Sequence, residues 1–319
     1  MSKINGPLFS MDAYGTIGKS LSYSKKKQNN IVSKYSKPGD VSPGESSPRQ
    51  KDQRSIIRLI TIHWQCMDDI DRLTWETAAK AARFKGSGYH YFLHLAQTDL
   101  LTYLGLAGYW SMNYETSGQI KDLSGNGNHG ILSPVYPCDC PTLVDSFNKK
   151  LGKAALFNGI SNYISLNNLP YLNSTELSFS LLYHKKSYLQ HESIFSDWSS
   201  TPDKTLIVGH SWISDSIAFL VGTGSNYKYC RVDNIFFVDE LAHWTFTFKG
   251  STYIRIFKNS IMVGEQTVDI PATVNSSHGL TALMKYTDTL FSNAIVDDFI
   301  IYNKALEQNE INLLYKTLL

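Results

Sequence analysis

Long apolar runs are missing from this sequence: nothing approaches the roughly 18 consecutive apolar residues that a membrane-spanning helix needs, so a membrane protein is not expected. Cysteine is scarce, with Cys66, Cys138, Cys140 and Cys230 scattered through 319 residues. So few thiols cannot build a disulfide framework, and a reduced compartment of synthesis fits them. Cys138-Asp139-Cys140 with His129 upstream is the nearest approach to a metal motif. A zinc site takes a full tetrahedral set and a wider gap between paired cysteines, so an ordinary loop is expected there. The leading MSKINGPLFSMDAYG has no apolar stretch of signal-peptide length and no small-residue cleavage site after one, so Sec export is not expected. Net charge is also slight, at +2.

That small net value hides an uneven distribution. Residues 1–60 hold 11 Lys/Arg against 4 Asp/Glu, whereas residues 106–319 hold 15 against 19. A basic leading arm seeks an acidic surface on a protein or, less favoured here, a nucleic acid. Within this arm AYGTIGKS, residues 13–20, satisfies the loose P-loop pattern. A P-loop needs a buried strand before its glycine turn and a helix beginning at the Lys-Ser, so that backbone N–H groups face the phosphates. GPLFSMD before it is too short and broken for such a strand. LSYSKKKQNNIVSKYSKP after it alternates and turns, with Leu21, Tyr23, Ile31, Val32 and Tyr35 flanking KKKQNN, and predicts a basic β-hairpin.

KPGDVSPGESSP, residues 37–48, is a linker by its Pro, Gly and Ser content. Ser47-Pro48-Arg49-Gln50 then has the chemistry of a helix start, with an N-cap, a proline at the first helical position and a capping-box glutamine. Ile56, Leu59, Ile60, His63 and Trp64 fall on one helical face, although RLITIHW also reads as a short buried strand. DIDRLTWETAAKAARF, stopped by GSG at 86–88, and YHYFLHLAQTDLLTYL complete a small three-helix module. Gln53, Arg54, Trp64, Arg72, Trp75, Ser87, Gly88, Tyr89 and Phe92, following the basic hairpin, resemble a recurring module of bacteriophage and prophage structural proteins. The resemblance covers about the first hundred residues and implies an anchor on other virion proteins of the capsid, portal or tail. Lys19, Lys25, Lys26, Lys27 and Lys34 would meet an acidic partner, and Trp64, Trp75, Tyr89 and Phe92 an apolar one. The plainer reading makes the lysines solvated and the aromatics this module's own core. His63, His90 and His94 lie among apolar residues and receive no catalytic role.

From Gly105 the texture changes to short strands separated by polar turns, which predicts an antiparallel β-sandwich. Lys258-Asn259-Ser260 is the turn of a hairpin whose strand alternates Tyr253, Arg255 and Phe257. GYWSMN, DLSGNGNHGIL, GKAALFNGISNYISL, HWTFTFKGSTYIRIFKNSIMVGE and IVDDFIIYNKALEQNEINLLY, in this order, resemble a concanavalin A-like jelly roll of the laminin-G kind, across residues 105–319. The expected class is therefore mainly β: a basic hairpin arm and linker (1–46), a helical anchoring module (47–104) and a jelly-roll sandwich (105–319).

Such domains often bind calcium or glycans at a rim. The resemblance implies Asp122, Asn126 and Asp298 as calcium ligands if the first loop meets the last strand. Alternatively, Asp122 caps a turn and Asn126-Gly127 supplies a left-handed one. Trp198, Trp212, Tyr227 and Tyr229 fall in loops or strand ends where a glycan could stack, or else they belong to the core. Catalysis has no support: there is no Glu-x-Asp-x-Glu strand and no Gly-x-Ser-x-Gly elbow, and in the adjacent pairs Asp239-Glu240 and Asp297-Asp298 neighbours should face opposite ways. The expected protein is thus a non-enzymatic virion component assembled in the host cytoplasm. Its sandwich would serve as decoration, spike or host-attachment head, as a homo-oligomer matched to a symmetric particle. The rival is a secreted or surface carbohydrate-binding protein.

Overall fold

The computed structural model describes residues 15–17, 21–26, 29–34 and 47–319, apart from 114, 135–139, 149–150, 167–168, 170–173, 190, 199–203, 213–214, 225, 275–280 and 288. The chain divides into two compact units, Met1–Ser46 and Ser47–Leu319.

In the first unit Gly15–Ile17, Leu21–Lys26 and Asn29–Lys34 form a three-stranded antiparallel sheet in sequence order. The hairpin about KKKQNN is present, with Leu21 opposite Lys34 and Lys26 opposite Asn29. Lys25, Lys26 and Lys34 lie on its strands, whereas Lys19 and Lys27 lie outside the described residues. Residues 15–17 of AYGTIGKS pair antiparallel with Leu21–Lys26, the next strand along the chain. That is a hairpin, not the strand-to-helix turn that a phosphate loop requires.

The second unit opens with helices α1 (Pro48–Cys66), α2 (Asp69–Ala81), α3 (Gly88–Ala96) and α4 (Leu100–Leu104), and closes with α5 (Gln308–Leu318). Ser47 and Gln50 make the reciprocal capping box, so RLITIHW is helix and not strand. The third predicted helix is broken instead of continuous, because Asp99 caps a fresh start by accepting from Thr102 N at 3.0 Å. Gly88 is required by packing: a Cβ there would come within 2.6 Å of Glu76 N, so only glycine lets α3 begin against the α2 backbone.

Among the described residues the sandwich consists of two antiparallel sheets. One has nine strands in the order Tyr227–Val232, Ile217–Gly224, Lys204–His210, Phe195–Asp197, Ala282–Leu283, Tyr163–Ser165, Gly130–Ser133, Gln119–Ile120 and Glu115–Thr116. The other has eight: Ile261–Gln266, Tyr253–Lys258, Leu241–Lys249, Glu176–Lys185, Asn293–Tyr302, Lys153–Asn158 and Thr142–Asp145, with Leu106–Trp110 joined to Asn293–Tyr302. Alternation along each strand sends one set of side chains between the sheets. There Phe299 stacks with Trp110 at 5.5 Å, Phe195 at 5.8 Å and Phe179 at 6.3 Å. Each such ring contributes roughly 1.5–3 kcal/mol by leaving water.

A second apolar cluster corrects the expected boundary at residue 104. Leu59 and Ile60 of α1, Phe92 of α3 and Leu104 of α4 pack with Tyr109, Ile300, Tyr302, Leu306 and Leu314 on the outer face of the eight-stranded sheet. The helical segment and the sandwich therefore share a core and form one compact unit. Composition changes at residue 105 because strands replace helices, not because packing stops.

The same cluster takes Phe92 out of the expected apolar anchor. Phe92 is 1% exposed. Trp64 packs on Tyr89 and Phe92 at 5.5 and 5.8 Å, and Trp75 on Phe92 at 5.0 Å. These rings pack together in the helices' own core, where Phe92 is buried while Trp64, Trp75 and Tyr89 are only half-buried and keep some surface free. The large apolar residues of α2 that face solvent are Ile70 and Leu73.

Candidate functional site

The outer face of the nine-stranded sheet carries an aromatic cluster. Leu206 and Val208, Ile217, Phe219 and Val221, and Cys230 point into the sandwich. The alternate residues Ile207, Ala218 and Leu220 therefore form an outward apolar floor. Register aligns Ile207 with Leu220 and Leu220 with Tyr229, a continuous row across three strands. Tyr227 and Tyr229 stand on this face two residues apart, and Arg231 follows them opposite Ala218.

Around that floor the rings touch in sequence. Trp198, just after strand Phe195–Asp197, meets Tyr227 edge-on at 5.5 Å. Tyr227 lies 6.1 Å from Tyr229, and Tyr229 lies 5.0 Å from Trp212. Trp212 in turn meets His210 at 5.3 Å, and His210 meets Tyr286 at 4.7 Å and His191 at 5.8 Å. The structure thus brings together all four aromatic residues named from the sequence. It adds His210, His191 and Tyr286, which no local pattern marked because their neighbours come from distant strands.

The electrostatics of this face are close to neutral. Burial, then the nearby His191, pushes the His210 imidazole down to about 4, so the ring is uncharged at physiological pH. Its Nδ1 is buried with no hydrogen-bond partner among the described residues. Burial also holds the Tyr286 phenol above its ordinary value, so it remains a hydroxyl. Arg231 places its guanidinium 5.4 Å from the Trp212 ring while its Nε donates to Asp233 at 2.7 Å. Ring faces with hydroxyl, indole and imidazole edges suit a ligand that has an apolar C–H face and a polar rim.

The residues named for calcium do not assemble into a cation site. Asp122 is buried and accepts from Tyr109 N, Ser124 N and Oγ, and Asn128 N at 2.8–3.1 Å. Asn126 spends its amide on the carbonyls of Leu106 and Ala107. Asp298 accepts from Tyr109 Oη and from Arg58 Nη2, the latter at 3.3–3.4 Å. The turn-capping alternative therefore describes Asp122, and Gly127 takes the left-handed conformation with φ at +76°. Among the described residues no three His, Cys, Asp or Glu side chains group as a metal would require.

The acidic pair also departs from simple alternation. Ala294 and Val296, then Phe299 and Ile301, face the interior. A bulge opposite Ser180 and Leu182, with Asp298 at φ +48°, accommodates the extra residue. Asp297 consequently accepts from Ser146 Oγ while Asp298 reaches Arg58 and Tyr109. Both carboxylates serve the packing of neighbouring elements onto the last strand.

Residues 158–312 match the laminin G model of the concanavalin A-like lectin/glucanases superfamily. The C-terminal body is a concanavalin A-like jelly roll. Solved structures with this fold include the receptor-binding domain of botulinum neurotoxin C/D mosaic serotype, 13% identical with a TM-score of 0.52 over 67% of this chain and 51% of that one. The botulinum serotype D ligand-binding domain in complex with N-acetylneuraminic acid gives 13% identity and a TM-score of 0.51, over 67% and 51%. Domain 4 of an extracellular arabinanase from Geobacillus stearothermophilus, in complex with arabinotriose, gives 18% and 0.50, over 66% of this chain and 98% of that domain. The chain spans about half the length of the toxin domains it matches. At such identities the likeness concerns the fold. Among curated proteins none matches the chain.

Proposed function

We propose that this jelly roll is a non-enzymatic carbohydrate-binding head, and that it belongs to a bacteriophage virion as a decoration, spike or host-attachment protein. The observation that carries the first part is the ring row Trp198, Tyr227, Tyr229, Trp212 over the floor of Ile207 and Leu220. A pyranose offers one C–H face to such rings and turns its hydroxyls toward the phenol and indole edges. Relatives of the same fold held N-acetylneuraminic acid and arabinotriose, which supports a saccharide as the ligand class. Asp233, beside this face, is engaged by Arg231, and the site presents rings where a hydrolase would present a spaced carboxylate pair.

The virion setting is supported by the N-terminal resemblance and by the basic three-stranded sheet as a compact unit of its own. With Phe92 buried, attachment to a capsid, portal or tail protein falls to the lysines of residues 1–46 and to the half-buried Trp64, Trp75 and Tyr89. A symmetric particle then dictates a homo-oligomer. Two experiments test this reading. A saccharide array probed with the full chain should give binding that a Trp212→Ala variant loses, and an array without any such binding contradicts the head. Mass spectrometry of purified particles should find the chain, and its absence contradicts the virion assignment.

A further inference from the structure

One end of the sandwich interior holds an amine and a carboxyl group where only apolar side chains would be expected. Leu177, Phe179, Leu181 and Tyr183 are the inward residues of strand Glu176–Lys185. Lys185 continues the same alternation, so its Nζ enters the core, and the residue is 0% exposed. Glu192, in the connection to strand Phe195–Asp197, is 1% exposed and brings its carboxyl group onto Lys185 Nζ. The Phe236 ring lies 4.1 Å from Nζ, and the Tyr188 ring 5.4 Å.

A dry ion pair of this kind needs further hydrogen bonds to offset the several kcal/mol that each ion loses on leaving water. Here, apart from Lys185, nothing among the described residues donates to either Glu192 oxygen, and the buried hydroxyls of Tyr183 and Ser193 also lack partners. Burial lowers the Lys185 amine and raises the Glu192 carboxyl to about 7, despite their mutual attraction. Both shifts favour the uncharged amine and the uncharged acid, which are the forms that condense.

We propose that Lys185 and Glu192 are joined by an intramolecular isopeptide bond between Nζ and Cδ. The neutral amine attacks Cδ, the N–C bond forms and one C–O bond breaks. The departing oxygen leaves as water with the carboxyl proton and one amine proton. Nothing is oxidised or reduced, and no co-reactant is consumed. Holding two groups in contact supplies an effective concentration far above that of any free reactants. The product replaces a buried amine and a buried carboxyl group with one amide N–H and one carbonyl.

The cross-link staples the two sheets together beneath the aromatic face. Lys185 ends a strand of the eight-stranded sheet, whereas the Glu192 carbonyl accepts from Ser211 N at 2.9 Å, next to strand Lys204–His210 of the nine-stranded one. The adjoining His191 donates its backbone N–H to Ser211 O at 2.8 Å and stacks near His210. The bond thus fixes the loop that backs the rings, as a disulfide would in a chain richer in cysteine.

Intact-mass spectrometry of the denatured full chain tests this directly. The expected mass is one water molecule below that of the sequence. Trypsin, cutting after Lys186, should leave two peptides joined through Lys185 and Glu192. Lys185→Ala and Glu192→Ala should have their full sequence masses, whereas Glu192→Gln should lose ammonia instead and reach the same final mass as the natural chain. A natural chain at its full sequence mass, or a water loss mapped to any other residue, overturns the proposal. The wild-type mass decides even if the alanine variants fail to fold.

Discussion

Trp212 meets Tyr229 edge to face with ring centroids 5.0 Å apart, on a sheet face turned away from the sandwich interior. Tyr229, on strand Tyr227–Val232, is 44% exposed, whereas Trp212 comes from the connection after strand Lys204–His210. The proposed binding surface rests on these rings, which an outer face leaves without a covering helix. The opposite outer face of the body, by contrast, is covered by α1 and α5.

Truncating these rings should therefore cost binding and spare the fold. Trp212→Ala and Tyr229→Ala are each expected to weaken saccharide binding by about tenfold or more, equivalent to about 1.4 kcal/mol. Isothermal titration calorimetry on the wild type and variants measures this, with circular dichroism confirming unchanged structure. Phe219→Ala, on the same sheet but facing inward, should instead lower stability by about 3–5 kcal/mol.

The shared core of helices and sandwich predicts where the chain can be cut. Removing residues 1–46 should leave Ser47–Leu319 folded with an unchanged melting temperature. Starting instead at residue 105 uncovers Tyr109, Ile300, Leu306 and Leu314, and the product should be insoluble or aggregated. Expression of the two truncations, followed by size-exclusion chromatography, distinguishes a shared core from an independent helical module.

Arg58 is the cation that α1 supplies to the buried Asp298. Burial raises the Asp298 carboxyl, and Arg58 opposes that shift. Arg58→Ala should destabilise the second unit by about 3–5 kcal/mol in urea denaturation, because it leaves a carboxyl group in a dry site without its partner. Millimolar calcium should not shift the melting temperature, since the oxygens of Asp122 and Asp298 already accept N–H and O–H groups.

His243 gives the clearest pH signature. It is completely buried, its Nε2 lies 2.8 Å from Ser180 Oγ, and burial pushes it down to about 3. As pH falls below about 6.5 the unfolded chain takes up a proton that the folded imidazole refuses. Stability is therefore lost with acidification, by about 1.4 kcal/mol per pH unit, until the folded value is reached. The buried Asp297 and Asp298 are held above the usual carboxylate range and titrate with the opposite sign. The useful quantity is thus the difference between the wild type and His243→Leu: constant above pH 7, and shifting against the wild type between pH 6.5 and 4.

Much of the architecture was legible because local chemistry and tertiary structure agree in it. Ser47 and Gln50 announce α1, the KKKQNN turn announces its hairpin, and alternation announces the strands. The rejection of the P-loop rested on the same flanking context and agrees with the antiparallel pairing of Gly15–Ile17. Tertiary pairing was invisible, and it decided the rest. Nothing near Trp64 or Phe92 reveals that a strand end around Tyr302 completes their core. Asp298 resembled a metal ligand only until Arg58, far away in sequence, took its charge. Trp198, Trp212, Tyr227 and Tyr229 could be named singly, but their meeting on one face required the register of three strands.

The indole N–H resonances of the tryptophans test carbohydrate recognition at this face most directly, by NMR of Ser47–Leu319 titrated with the saccharides that score on an array. Trp198 and Trp212 should shift with saccharide concentration, while the core residues Trp110 and Trp244 stay in place. Saccharide binding that leaves Trp198 and Trp212 unmoved, or no binding by any saccharide tried, would contradict it.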